Sequence, residues 1–209
     1  MPRIIAHRGF WWPNPHHQNR PWALNAALER GWDVEVDVWG VRGNQLKIGH
    51  DAAEVEWTLP KRMNDSQLFL HIKSTAWWDR IFEAIKTSGW EGGAHWFVSP
   101  QRDGYLSNAL FVASESRHID SFLLSSAGHG GVWAEQPDKE WVTADDIYQV
   151  HDANSKIYVV ASELHGRALD LGWLERWRQA DGIVTDYPHL LEKVLDANDA
   201  QMHPTEAWW

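Results

Sequence analysis

The stretch WDVEVDVWGVRGNQLKIGHD, from Trp32 to Asp51, decides how the chain is read. Side chains of a strand alternate between two faces, so Val34, Val36 and Val38 fall on one side and Asp33, Glu35, Asp37 and Trp39 on the other. Three β-branched residues suit a face covered by helices. Two carboxylates do not suit a core, because buried charge is costly unless it is paired or bound to a metal. Glu35 and Asp37 therefore project side by side into a polar space. A turn at Arg42-Gly43-Asn44 and a short apolar segment then deliver His50 and Asp51. An E-x-D pair followed by an H-D pair predicts a cation site with a titratable group beside it.

The flanking segments repeat one pattern. RIIAH (3–7) reads as a short buried strand ending in His7-Arg8-Gly9, where glycine permits a sharp turn or a close approach. A Pro-, Asn- and His-rich loop follows, in which His16 and His17 read as loop residues. A helix then starts near Pro21, with Asn19 or Arg20 at its cap, and closes at Gly31. Residues 52–66 read as polar and irregular. QLFLHIK (67–73) is a strand that places His71 and Lys73 at its C-terminal end. The spacing of Trp77, Ile81 and Ile85 predicts a helix from about Ala76 to Thr87. AHWFVSP (94–100) is a strand stopped by Pro100. Between 101 and 128 the pattern is weakest; it predicts a short helix near 104–110 and a strand over Ser121–Leu124. GGVWAEQP (130–137) reads as a strand ending near Glu135. A helix over Ala144–Asp152 has Thr143 as its N-cap. KIYVVAS (156–162) is a strand that delivers Glu163 and His165. A helix over 169–179, the strand DGIVTD (181–186) and a helix over 189–198 complete the chain.

Strands alternating with helices imply a parallel sheet with crossover connections. About eight strand candidates over the whole length favour a closed (β/α)₈ barrel, as one domain spanning 1–209, over an open doubly wound sheet. In such a barrel chemical groups gather at the C-terminal ends of the strands. His7, Glu35, Asp37, His71, Lys73, Glu163 and Asp186 all fall there, which points to an enzyme.

Composition narrows the chemistry. The 209 residues carry a formal net charge of −10, against a sequence-independent nucleic-acid binder, which needs a basic surface. With no cysteine, disulfides and thiolate metal sites are excluded. No apolar run is long enough for a membrane span or a signal peptide, so a cytoplasmic protein without integral membrane association is expected. The 16 tryptophans are an unusual load, and some of them must be core. Trp11-Trp12 suit an interface or a pocket wall, and Trp208-Trp209 a packing or association patch. There is no glycine-rich phosphate loop, dinucleotide fingerprint or G-x-S-x-G elbow. What remains suits phosphodiester cleavage. A metal on Glu35 and Asp37 would neutralise phosphate oxygens, and Arg8 and Lys73 would stabilise developing charge. Of His7 and His50, one would take the proton of the attacking hydroxyl and the other protonate the leaving oxygen.

I-I-A-H-R-G at 4–9, E-V-D-V at 35–38, G-H-D at 49–51, H-I-K at 71–73 and D-G-I-V-T-D-Y-P at 181–188 resemble, in order, the glycerophosphodiester phosphodiesterase family. That family belongs to the phosphatidylinositol-phospholipase-C-like TIM barrels. The resemblance implies His7 and His50 as an acid/base pair, Arg8 as a phosphate ligand, and Glu35 and Asp37 as ligands of Mg²⁺ or Ca²⁺. It also implies a small phosphodiester substrate whose neighbouring hydroxyl attacks first, giving a cyclic phosphate that is then hydrolysed. Three positions depart from the family. Its E-N-T reads Gln18-Asn19-Arg20, retaining only Asn19 among the substrate-site candidates. Its E-x-K reads His71-Ile72-Lys73, which puts imidazole where a third metal-binding Glu is usual and brings Mn²⁺ into consideration. Its W-T-V-N reads Ala161-Ser162-Glu163-Leu164, with His165 just beyond.

Several placements stay open in the sequence. His71 either coordinates the metal directly or binds a metal-held water. Glu163 and His165 either reach substrate or do not, and Trp39 either lines the pocket or packs inside the barrel. Two rival functions also stand: phospholipase-D-like chemistry on a choline or ethanolamine lipid caged by Trp11, Trp12 and Trp39, and a catalytically silent barrel that binds phosphorylated glycans or a protein.

Overall fold

The computed structural model describes residues 1–98, 109–114, 119, 130–168 and 170–202. Ten strands occur among them: β1 (Arg3–His7), β2 (Asp33–Arg42), β3 (Gln45–Ile48), β4 (Val55–Thr58), β5 (Leu68–Ile72), β6 (Ala94–Val98), β7 (Leu110–Ala113), β8 (Gly131–Ala134), β9 (Ile157–Val160) and β10 (Gly182–Thr185). The α-helices are α1 (Pro21–Glu29), α2 (Trp78–Thr87), α3 (Ala144–Asp152), α4 (Leu171–Arg176) and α5 (Pro188–Met202).

Eight strands run parallel in a ring. β1 lies between β10 and β2, β2 pairs with β5 and β5 with β6. On the other side β7, β8, β9 and β10 pair in sequence order. A single parallel bridge between Trp96 and Ala109 joins the two arcs. Strand alternation then sorts the side chains. Val34, Val36, Val38, Leu68, Leu70 and Ile72 face outward, packed with Leu24 and Leu28 of α1 and Ile81 and Ile85 of α2. Val132, Ile157, Val159 and Ile183 do the same beneath α3 and α5. The interior holds Ile5, Phe69, Phe97, Leu110, Trp133, Tyr158, Val160 and Val184. This filled layer makes the barrel a packed core rather than a pore and leaves the mouth above it for polar side chains.

Beyond the ring, β2 continues past an irregularity between Val38 and Gly40 and pairs antiparallel with β3, which pairs with β4. The sequence reading makes 52–66 irregular, but 55–58 form β4. Its VEWT buries only Trp57, so the apolar signal is a single residue. Strand β7 corrects the middle of the chain, because Leu110 opens a strand rather than ending a helix. The expected strand over 121–124 and residues 104–108 lie outside the described residues. The N-cap of α1 is Arg20, and Thr143 caps α3 in a reciprocal capping box with Asp146.

Candidate active site at the barrel mouth

Register assembles the site. Residues His7 and Glu35 are partners across β1 and β2, and Asp37 and His71 across β2 and β5. All four point inward by alternation, so their heads meet at the C-terminal mouth. Asp37 is completely buried and collects four partners. Arg8 Nε lies 2.9 Å from Oδ2, Lys73 Nζ 3.0 Å from Oδ1 and His71 Nδ1 3.1 Å from Oδ1. Asn19 donates from Nδ2 to Oδ2 at 2.9 Å and accepts the Asp37 backbone N–H at 3.2 Å. Burial alone would raise the Asp37 pKa, but His71, Arg8 and Lys73 outweigh it and hold the group well below the usual carboxylate range.

Two residues hold this arrangement through unusual backbone. Asn19 has φ 53° and donates its own N–H to Arg8 O at 3.0 Å, closing the loop over the mouth. Gly9 has φ 89°, and a Cβ there would stand 2.7 Å from the backbone of Ala23 and Leu24. The close approach expected at Gly9 is made to α1.

Glu35 is buried too, with its pKa raised by desolvation and by the charge of Asp37. Its Oε2 has no hydrogen-bond partner among the described residues, and neither has His71 Nε2. Ligand atoms of Glu35, Asp37 and His71 lie within 4.8 Å of one another. Two orphaned buried acceptors beside a shared carboxylate fit a divalent cation, and mixed oxygen and imidazole donors suit a transition metal better than Ca²⁺.

His7 sits 3.9 Å from Glu35 Oε2 through Nε2, while Nδ1 lies 2.7 Å from Asp186 Oδ1. A carboxylate only accepts, so Asp186 places the proton on Nδ1 and leaves Nε2 with its lone pair. Burial, opposed by Asp186, lowers the His7 pKa and favours the neutral ring. Asp186 is in turn fixed by Glu163, whose Oε1 accepts the Asp186 N–H at 3.3 Å and the Thr185 hydroxyl. Across the mouth, His165 Nε2 is 3.1 Å from Glu135 Oε2, and Trp133 donates to the other oxygen at 2.7 Å.

The structure thus brings together His7, Arg8, Asn19, Glu35, Asp37, His71 and Lys73. His50 is on the same rim, since Gly49 N donates to Asp37 O at 3.2 Å, but its ring is half-exposed and pairs with Asp51 at 2.7 Å. Trp39 is half-buried, with Nε1 donating to Gly49 O at 2.8 Å, so it braces the loop that carries His50. Trp11 is buried with Nε1 on His7 O at 3.0 Å, while Trp12 remains half-exposed against Tyr187. Sequence reasoning assigned no role to Asp186, Glu135 or Gln18, which accepts from Arg8 at 3.0 Å. Asp186 had a signal, since it ends the last strand inside a quoted motif.

Fold and mouth together define a parallel (β/α)₈ barrel whose C-terminal mouth gathers carboxylate, imidazole and guanidinium groups. No protein-family model matches the chain, and no curated protein matches it in sequence. Solved structures do match in fold. Two, provisionally assigned as glycerophosphodiester phosphodiesterases, come from Galdieria sulphuraria (TM-score 0.66, 12% identity, 94% of this chain and 98% of that one) and Silicibacter pomeroyi DSS-3 (0.66, 14%, 95% and 94%). A third is an Oleispira antarctica phosphodiesterase in complex with the product sn-glycerol-3-phosphate (0.57, 15%, 94% and 97%). Among the described residues no helix is long and apolar enough to cross a membrane.

Proposed function

We propose that the chain is a divergent glycerophosphodiester-phosphodiesterase-like enzyme, a metal-dependent phosphodiester hydrolase acting on a small glycerophosphodiester. The observation that carries the reading is the His7 geometry: a ring locked by Asp186 at Nδ1, presenting Nε2 beside a buried, partly unpartnered Glu35. A structural histidine needs no such arrangement, and the fold shared with phosphodiesterase structures agrees with it.

Glu35, Asp37 and His71 would hold the cation, which when bound supplies charge neutralisation for the phosphate oxygens. Arg8 and Lys73 bring positive charge to the same pole, where the phosphate accumulates charge in the transition state. His7 Nε2 takes the proton of the attacking hydroxyl as its oxygen forms the new bond to phosphorus. Here Asp186 stabilises the imidazolium, and Glu163 and Thr185 position Asp186. His50, on the same rim and paired with Asp51, gives a proton to the leaving oxygen as the old P–O bond breaks. The same two histidines exchange roles when water opens the cyclic phosphate. Asn19, with both ends of its amide on Asp37, acts by holding that carboxylate rather than by touching substrate. The aromatic cage that would favour a choline lipid loses one wall, because Trp11 is buried.

Purified protein should release the head-group alcohol from glycerophosphocholine or glycerophosphoethanolamine, each of which carries a hydroxyl beside the phosphate, stop with EDTA and recover with added divalent metal. Absence of turnover on both substrates across Mg²⁺, Ca²⁺ and Mn²⁺ would leave the silent binding barrel as the better reading.

A further inference from the structure

The opposite, N-terminal end of the barrel carries polar groups that the mouth chemistry does not use. A cavity of about 600 Å³ opens there, bordered by Arg3, Gln67, Lys156, Tyr158, Arg178 and Asp181, among others. That volume lies in the range of small-molecule sites. Tyr158 is fully buried by its alternation on β9, yet its hydroxyl has no hydrogen-bond partner among the described residues, and nor has Gln67 Oε1. Leaving buried polar atoms unpaired is unfavourable, and both belong to residues of the cavity wall.

Charge favours an anion. Asp181 is already engaged: its Oδ2 accepts the Ile157 N–H at 2.9 Å and lies 3.0 Å from His151 Nε2. Arg3 is held by Asp33 and Asp65, at 2.9 and 3.0 Å. Arg178 lies 3.5 Å from Glu175. Lys156 makes no ion pair among the described residues, so its charge is open to a ligand. Burial raises the Tyr158 pKa, which keeps the phenol a hydrogen-bond donor.

The geometry points to a second binding site at the N-terminal end of the barrel for a protonated phosphate group, as free phosphate or as a phosphomonoester. Lys156 supplies the charge, and the Tyr158 hydroxyl donates to a phosphate oxygen. Gln67 Oε1 accepts from the P–OH. This last contact separates phosphate from sulfate, which has no hydrogen to offer at neutral pH.

Titration calorimetry with inorganic phosphate, phenyl phosphate and sulfate tests the site in wild type, Lys156→Gln, Tyr158→Phe and Lys73→Met. Exposed Lys156 can be replaced without touching the core, and Tyr158→Phe keeps the ring. The expected result is a phosphate affinity that falls about tenfold or more in both basal variants, the loss of a charge-assisted or buried hydrogen bond. The same binding event persists in Lys73→Met, and sulfate binds more weakly. Whichever of phosphate and phenyl phosphate binds more tightly at this site identifies the source of the group. Binding lost only in Lys73→Met would assign all phosphate to the mouth and overturn the proposal. No binding, or binding indifferent to Lys156 and Tyr158, would overturn it as well and leave the cavity to water.

Discussion

His95 offers a test of the barrel interior that is independent of catalysis. It is nearly fully buried on β6, its ring stacked on Phe69 at 5.0 Å and 5.6 Å from Tyr158, with Nδ1 lacking a partner among the described residues. Burial, together with Lys156, Arg3 and Arg62, lowers its pKa from 6.5 to about 4. The sign follows from linkage: the unfolded chain takes up the proton first, so stability is intact above the unfolded pKa and falls as pH drops from 6.5 towards 4. At about 1.36 kcal/mol per pKa unit, the loss is about 2 kcal/mol by pH 5 and about 3 kcal/mol by pH 4. Other groups titrate over the same window, with Asp33 and Glu163 shifted upward and therefore acting in the opposite direction. The informative quantity is thus the difference between wild type and His95→Phe, in which the ring stack is retained and the titration is removed. Urea denaturation in phosphate-free buffer from pH 7.5 to 4 should show wild type losing about 3 kcal/mol relative to the variant. A difference that stays constant over that range would show that His95 takes up its proton as readily in the fold as in the unfolded chain, and the account of the interior would fail.

At the mouth, His7→Ala should lower turnover by about 10²–10⁴-fold with folding intact, read by steady-state kinetics and circular dichroism. Asp186→Asn should lower kcat more than it raises KM, because it disturbs the tautomer of His7 and not the phosphate contacts; unchanged kcat would remove Asp186 from the mechanism. His71→Glu should strengthen Mg²⁺ binding by exchanging imidazole for a hard oxygen donor, as measured by calorimetry; tighter Mg²⁺ binding by wild type would show that His71 does not serve as the third ligand. Arg3→Ala should destabilise by about 3 kcal/mol in urea, since it strands the buried Asp33 carboxylate, whereas loss of the exposed Asp65 partner alone should cost under about 1 kcal/mol.

What could be read in advance follows from how local each cause is. Alternation along 33–39 predicts which side of β2 carries Glu35 and Asp37, and parallel pairing then puts His7 and His71 beside them. Other features depend on contacts far apart in the chain. The link between His7 and Asp186 crosses 179 positions: both read as strand ends at the mouth, but nothing near either residue announces that they pair. Strand β7 is four apolar residues, LFVA, without alternation, and a run of that length does not distinguish strand from helix. The direction of the His50 side chain is set by the loop from Gly49 to Glu54. Gly49 there has φ 151°, and a Cβ would stand 2.2 Å from Ala52 O, so backbone closure rather than side-chain pattern controls where the imidazole goes. Asn19 shows the same division of labour. Its residue type could be picked out, but its task could not, because the task is defined by a carboxylate 18 positions away. Asp37 explains why the motif pieces are legible at all. A fully buried carboxylate requires compensation, and Arg8, Asn19, His71 and Lys73, from three separate segments, all converge on it. Two of the pieces, I-I-A-H-R-G and H-I-K, are short and far apart because each has only to deliver donors, Arg8 from one and His71 and Lys73 from the other, to a single buried anion.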